Sequence, residues 1–171
     1  MRRLGTTTTL LSVAGLLACL LTACATAAPG PRPSPDDLVR AATQRLTDVC
    51  LRRQGLVPPR PGHTPPTASG QRRFAEALFG AGRAELSLKL PTGHVVRAHT
   101  DGCLAAAQRR LYGDQRRWFR ASVIVNNLRP EAARTHRTLA EVRARHRAEL
   151  ADWRRMRARA VRVAGPLLTT G

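Results

Sequence analysis

Residues 85–100 read ELSLKLPTGHVVRAHT, and this stretch decides the fold class. Polar and apolar side chains alternate strictly over residues 85–90, which predicts a strand with one buried face. Residues 91–93, Pro-Thr-Gly, have the chemistry of a turn, and residues 94–100 predict the returning strand. We therefore expect one β-hairpin.

Helical patterns precede the hairpin. Ser34 is a typical helix N-cap, and it is followed by Pro35 in the first turn and by two acids. Apolar side chains then recur at helical spacing as far as Gly55. Residues 58–70 are rich in proline and predict a surface loop. Residues 72–79, RRFAEALF, place two apolar side chains four residues apart and predict a short helix.

Three further helices are predicted after the hairpin. The first begins at Cys103 and ends at Gly113, and the second covers residues 115–128. Residues 131–163 keep three- and four-residue apolar spacing for about six turns, which predicts one long last helix; a short break near His136 is compatible with this pattern. These features indicate an α+β protein that is mainly α, with helices around one β-hairpin and a long C-terminal helix.

The first residues have the features of an export signal. A basic start precedes a twelve-residue apolar run, LLSVAGLLACLL at residues 10–21, which is too short to span a bilayer and fits a signal-peptide core. Residues 21–24, Leu-Thr-Ala-Cys, resemble the bacterial lipobox. The resemblance implies that signal peptidase II removes residues 1–23 and that Cys24 carries a diacylglyceryl thioether. The alternative is a simple secretory peptide that is cleaved near Ala28.

The lipobox resemblance divides the chain into three parts. Residues 1–23 are the lipoprotein signal peptide, residues 24–33 are the lipidated cysteine and a proline-rich tether, and residues 34–171 are one domain of ordinary size. Two acyl chains anchor a protein stably where one is marginal. We therefore expect a lipid-anchored protein at the extracytoplasmic face of the cell membrane, or otherwise a secreted one.

The chain has four cysteines. Cys19 leaves with the signal peptide and Cys24 is the lipidation candidate, so Cys50 and Cys103 remain in a compartment where disulfides persist. Catalytic or metal-binding thiols are the alternative, but neither cysteine has a C-x-x-C motif or a histidine at ligand spacing beside it. We expect a single Cys50–Cys103 disulfide, which contributes about 4 kcal/mol if it acts through chain entropy.

Arginine dominates the charge of the chain. There are 29 Lys and Arg against 11 Asp and Glu, a formal charge of +18, and Lys89 is the only lysine. Removal of residues 1–23 takes two arginines and no acid, which leaves +16. A high-GC genome that encodes arginine for any cation explains the choice of arginine but not its excess over acids. The excess suggests a polyanion-binding surface built from Arg116, Arg117, Arg143, Arg147, Arg154 and Arg155; the alternative is an inert basic surface.

The sequence contains no strong catalytic motif. His99 and Asp101 share a strand face if the strand extends that far, which gives one hydrolase hypothesis; the alternative is a polar strand end beside a helix cap. Ser87 and Ser122 lack a G-x-S-x-G elbow. His146 lies on the apolar stripe of the last helix, so we expect a hydrogen-bonded core or interface histidine. We predict no catalytic activity, metal or cofactor.

Residues 46–128 also resemble small exported proteins of high-GC Gram-positive bacteria. The resemblance rests on a cysteine before a Leu-Arg-Arg-Gln-Gly helix end, the Pro-Thr-Gly-His hairpin, Asp-Gly-Cys, and Leu-Tyr-Gly-Asp followed by Trp-Phe-Arg. It implies an exported location, supports the Cys50–Cys103 pair and transfers no catalytic residue.

The function predicted from these features is that of a membrane-anchored lipoprotein whose basic surface faces anionic lipid or cell-wall polymer. The alternative is a protein-interaction module that uses the apolar stripe of the last helix, which includes Leu139, Trp153 and Ala160. A small hydrolase is the third hypothesis. Specific nucleic-acid binding is not expected, because the chain has too few aromatic side chains to stack on bases.

Overall fold

The computed structural model describes residues 32–58 and 67–169. Its elements in chain order are α1 (Pro35–Arg53), α2 (Ala68–Phe79), β1 (Leu86–Lys89), β2 (Val95–Ala98), α3 (Cys103–Tyr112), α4 (Gln115–Asn126), α5 (Leu128–Thr135), α6 (Leu139–Arg145) and α7 (Arg147–Thr169). The predicted fold class is confirmed. The predicted signal peptide, the predicted lipidation site Cys24 and the predicted tether up to residue 31 lie outside the described residues, as do residues 59–66 of the proline-rich loop.

The main core lies where α1, α3 and α7 pack together. Ser34 caps α1 as predicted, because its hydroxyl accepts a hydrogen bond from the Asp37 amide at 3.2 Å. Small side chains occupy the centre of this core, where Ala42, Ala160 and Ala164 are fully buried. Small residues at a helix contact shorten the distance between the helix axes, so a chain poor in aromatic residues still forms a dense core.

The hairpin is confirmed, with strands shorter than predicted. Leu86 pairs with Ala98 and Leu88 pairs with Val96 in an antiparallel register. Gly93 lies in the turn at φ +91°, a left-handed conformation that glycine adopts without a steric penalty. Leu86 is buried, and Leu88 packs against a second core cluster. The buried members of that cluster are Ile124, Leu128 and Val142.

The Cys50–Cys103 disulfide is also confirmed. It joins the last turns of α1 to the first residue of α3, with the two Cα atoms 5.6 Å apart. Cys103 is 1% exposed, so the bridge lies inside the domain. The bridge encloses the proline-rich loop, and it thereby restricts a long irregular segment in the unfolded chain.

The long C-terminal helix is confirmed as the 23-residue α7, but three helices cover residues 131–163, so the helical pattern is not one continuous helix. One break lies near His136, which ends α5 in the left-handed region at φ +52°. Thr138 then begins α6 with a capping box, in which the Thr138 and Glu141 side chains each accept a hydrogen bond from the other residue's amide. A second break at His146, which we did not expect, separates α6 from α7.

Other helix ends differ from the prediction by a few residues. α2 begins earlier, at Ala68, because the Thr67 hydroxyl caps it. α4 ends at Asn126, and Pro130 lies in the first turn of α5, where a helix needs no N–H donor. α7 continues to Thr169, because its last turns still pack on the main core.

Candidate polyanion-binding surface

Most arginines in the described residues have no acidic partner. Those that contact a carboxylate within 4.0 Å are Arg40, Arg117, Arg120, Arg145, Arg155 and Arg157. All 11 acids of the chain lie in the described part, so no further carboxylate side chain is left to pair with the others. The surface therefore carries positive charge that the fold does not neutralise.

The six arginines predicted to bind polyanions divide into two groups. Arg117 and Arg155 both contact Asp152, and the distance from Arg117 Nε to Asp152 Oδ2 is 3.3 Å. Their charge is therefore partly neutralised within the domain. The other four are exposed and have no carboxylate within 4.0 Å: Arg116, Arg143, Arg147 and Arg154. The polyanion-binding role of all six stays a prediction.

Helical periodicity places free arginines of α7 on one face. Arg147, Arg154 and Arg162 are exposed, and their spacing of seven and eight residues corresponds to about two helical turns. The opposite side of α7 packs on the main core through Ala160 and Ala164. We call the row formed by Arg147, Arg154 and Arg162 the arginine face.

A cleft of about 280 Å³ lies between α4 and α7. Three arginines of α4 line it: Arg116, Arg117 and Arg120. Three acids line it as well: Asp114, which caps α4 by accepting a hydrogen bond from the Arg117 amide at 2.9 Å, and Glu149 and Asp152 of α7. Arg117 and Arg120 are therefore partly neutralised here, and the arginine face does not contribute to this cleft.

A buried carboxylate links the C-terminal helices, and sequence reasoning missed it. Glu131 on α5 is 3% exposed. Its Oε1 accepts a hydrogen bond from Arg145 Nη1 at 3.1 Å, and its Oε2 lies 2.9 Å from His146 Nε2. His146 is thus a hydrogen-bonded, largely buried histidine, which confirms the structural interpretation of that residue.

Glu149 continues this polar network from α7 to α4. Its Oε1 accepts hydrogen bonds from Arg120 Nη2 at 2.9 Å and from Arg120 Nε at 3.2 Å, and its Oε2 lies 3.8 Å from His146 Nδ1. Partial burial by itself raises the pKa of Glu149, but hydrogen bonds from its own backbone and from Arg120 outweigh burial and lower the pKa. The network therefore holds α4, α5 and α7 together.

His99 and Asp101 lie close together, but backbone amides hold the carboxylate. His99 Nδ1 is 4.0 Å from Asp101 Oδ1, which is beyond hydrogen-bond distance. Asp101 Oδ2 instead accepts hydrogen bonds from the amides of Ala81 and Gly82, each at 3.3 Å. Backbone hydrogen bonds, first from its own amide, lower the pKa of Asp101 against the opposing effect of desolvation. This geometry favours the polar strand end over a catalytic pair.

The apolar stripe considered as a partner surface is largely used inside the domain. Ala160 is fully buried in the main core, and Leu139 packs on the second core cluster. Trp153 is half-buried, and the Arg157 guanidinium lies 5.2 Å from its ring centre, within the range of a cation–π contact. Ala160 is thus unavailable to a second protein, whereas Leu139 and Trp153 remain partly exposed.

Neither protein-family models, nor curated proteins, nor solved structures match the chain. No helix within residues 32–58 and 67–169 is both long enough and apolar enough to cross a membrane. In the same residues, no group of three or more His, Cys, Asp or Glu side chains is placed to hold a metal ion.

Proposed function

We propose that the chain is a non-catalytic lipoprotein, anchored through Cys24 at the extracytoplasmic face of the membrane, whose arginine face binds an anionic lipid surface or a wall polymer. One observation carries this proposal. Arg147, Arg154 and Arg162 are exposed on one side of α7, and no acidic side chain, all of which lie in the described residues, is within 4.0 Å of them. An anionic surface neutralises this row, whereas an uncharged partner leaves its self-repulsion in place.

A lipid anchor and a basic surface reinforce each other. The acyl chains keep the domain near the headgroups, where each Arg contributes roughly 1 kcal/mol of attraction. This attraction falls off within a Debye length of about 8 Å at physiological salt. The ten residues of the tether, 24–33, reach at most roughly 33 Å, so the anchor keeps the domain close enough to meet the surface often, and the arginines are then needed to hold it there.

Binding to isolated envelope components tests the proposed surface. The chain from residue 24 onward, with Cys24→Ser, retains the compact unit Pro33–Gly171. Its sedimentation with phosphatidylglycerol vesicles and with purified cell walls is measured over a salt series, with phosphatidylcholine vesicles as the uncharged control. We expect binding to at least one anionic surface at low salt and steep loss as salt screens the arginines. Absence of binding to both surfaces at low salt contradicts the proposal.

The anchor is tested separately in cells that contain signal peptidase II. Mass spectrometry of the membrane fraction is expected to find a protein that begins at Cys24 and carries a diacylglyceryl group on that thiol. The Cys24→Ser variant is expected to lose this group. A mature protein that begins after Ala28 and accumulates in the medium contradicts the anchor and supports simple secretion.

A further inference from the structure

An apolar groove of about 410 Å³ opens onto the second core cluster. Four helices contribute to it: Val125 from α4, Leu128 from α5, Leu139 from α6 and Leu150 from α7. Leu128 is 6% exposed, whereas Leu139 and Leu150 are only partly buried. Within residues 32–58 and 67–169, aliphatic carbon therefore reaches the surface at this place.

Two arginines without an acidic partner border the groove. Arg129 on α5 and Arg143 on α6 both line it, and both are exposed. The acid closest to Arg129 in the chain, Glu131, is buried and already contacts Arg145 and His146. No other carboxylate of the described residues lies within 4.0 Å of either arginine. The groove thus combines an apolar floor with two uncompensated guanidinium groups.

We infer that this groove binds the headgroup of an anionic phospholipid together with the first carbons of its acyl chains. The inference rests on the proposed function and chooses between its two polyanions. Arg129 and Arg143 bind the phosphate, because guanidinium groups form paired hydrogen bonds with phosphate oxygens. The acyl carbons cover Leu139 and Leu150 and remove their apolar surface from water. A hydrophilic wall polymer supplies anionic groups but no hydrocarbon for this floor.

Vesicle binding by two charge-matched variants tests the site. Arg129→Gln/Arg143→Gln removes the pair that borders the groove, and Arg52→Gln/Arg53→Gln removes the same charge from the last turn of α1, which does not line it. We expect roughly 30-fold weaker binding to phosphatidylglycerol vesicles for the groove variant and a much smaller loss for the α1 variant. Equal losses in both overturn the groove site, while binding by the parent chain still supports the proposed function.

A short-chain lipid separates the groove from general surface charge. Dihexanoylphosphatidylglycerol, used as a monomer, is expected to shift the methyl NMR resonances of Leu128, Leu139 and Leu150. Glycerophosphoglycerol, which is the same headgroup without acyl chains, is expected to leave them unchanged, and so is purified wall polymer. The inference fails if either of these shifts the three leucines as strongly as the lipid does, or if the lipid shifts only methyl groups elsewhere.

Discussion

Glu131 is a buried carboxylate. Its two oxygens face Arg145, the last residue of α6, and His146, which lies between α6 and α7. Arg145 and His146 approach its two oxygens at 3.1 and 2.9 Å, while the residue itself is 3% exposed. Removal of a carboxylate from water costs several kcal/mol, and the attraction of close partners offsets that cost. Deletion of Glu131 leaves the largely buried His146 Nε2 without this partner, while Arg145 is exposed to solvent, so Glu131 matters to stability mainly through His146.

We expect Glu131→Ala to lower the free energy of unfolding by about 3 kcal/mol, because it leaves Arg145 and His146 without their shared partner. Glu131→Gln is expected to cost less, since an amide still reaches His146. The measurement is urea denaturation, with Glu76→Ala on the exposed side of α2 as the control, which is expected to change stability by no more than about 0.5 kcal/mol. Equal effects of the two alanine variants would show that Glu131 is not neutralised as described.

Tyr112 is the only tyrosine of the chain, so it can be titrated individually. Its ring stacks on Trp118 with the centroids 3.5 Å apart, and burial raises the pKa of its phenol. An ultraviolet absorbance titration is expected to show ionisation above the ordinary value of about 10, and Trp118→Ala is expected to lower the midpoint.

The raised pKa of Tyr112 also makes the free energy of unfolding decrease at alkaline pH. Because the pKa of Tyr112 is higher in the folded state, the unfolded chain ionises first, and stability falls as pH rises above about 10. Thermal denaturation of Tyr112→Phe is expected to lack this component. A parent protein that titrates at the ordinary value, or a variant with the same alkaline loss, would contradict the burial of Tyr112.

At the scale of elements, helix ends with local signals are predictable from the sequence. Gly113, at φ +88°, ends α3 as expected, and Asp114 caps α4 through a side-chain hydrogen bond. The separation of α5 from α6 also has a local signal, since Thr138 and Glu141 form the Thr-x-x-Glu pattern of a capping box. The apolar spacing alone does not reveal this break, because the three- and four-residue periodicity continues across it.

The buried network could not be predicted, because its members meet only through tertiary structure. Glu131 is 14 and 15 residues from its partners, and these approach it only after the chain turns at His136 and at His146. The composition shows that arginines outnumber acids, but it does not identify which arginines contact a carboxylate in the folded protein. Asp152 neutralises Arg117 from a different helix, a contact that no spacing within one helix reveals.

α2 and α3 approach each other closely at Gly102, the N-cap residue of α3. A Cβ atom on Gly102 would lie 2.5 Å from the Phe79 carbonyl carbon and 2.6 Å from the Leu78 oxygen. Both are backbone atoms of the last turn of α2, so no side-chain rotation relieves the contact. Gly102 has φ −78°, which any residue adopts, and the constraint is therefore purely steric.

We expect Gly102→Ala to lower the free energy of unfolding by at least about 2 kcal/mol, because the two helices must separate. Gly165→Ala in α7 is the control, since no atom apart from its chain neighbours and its own helix backbone lies within 4 Å of a Cβ there. It is expected to change stability by less than about 1 kcal/mol, because the helix preference of alanine is opposed by the following Pro166. Urea denaturation compares the two. If Gly102→Ala were as stable as the parent, α2 would not approach α3 this closely.

At the scale of the whole molecule, acids and arginines have different roles. Acids cap helices, as Asp37 and Glu141 accept hydrogen bonds at helix starts, or they join helices, as Glu131 and Glu149 do. Arginines far outnumber them and remain at the surface. A high-GC genome would account for arginine in place of lysine, and the proposed anionic partner outside the chain would account for the shortage of acids.

The arginine face can be removed without disturbing any ion pair of the described residues. Arg147→Gln/Arg154→Gln/Arg162→Gln takes away three exposed guanidinium groups, and Arg52→Gln/Arg53→Gln/Arg72→Gln takes the same charge from α1 and α2. Both triple variants are expected to melt within a few degrees of the parent, since surface changes cost about 0.5 kcal/mol or less.

The most direct test of the polyanion surface is the binding of these two variants to phosphatidylglycerol vesicles and purified cell walls over a salt series. On the surface that the parent chain binds, the α7 variant is expected to bind roughly a hundredfold more weakly at low salt, with a shallower salt dependence. The α1 and α2 variant is expected to bind nearly as the parent does. Equal losses in the two variants would contradict the account, because binding would then follow net charge and not the arginine face.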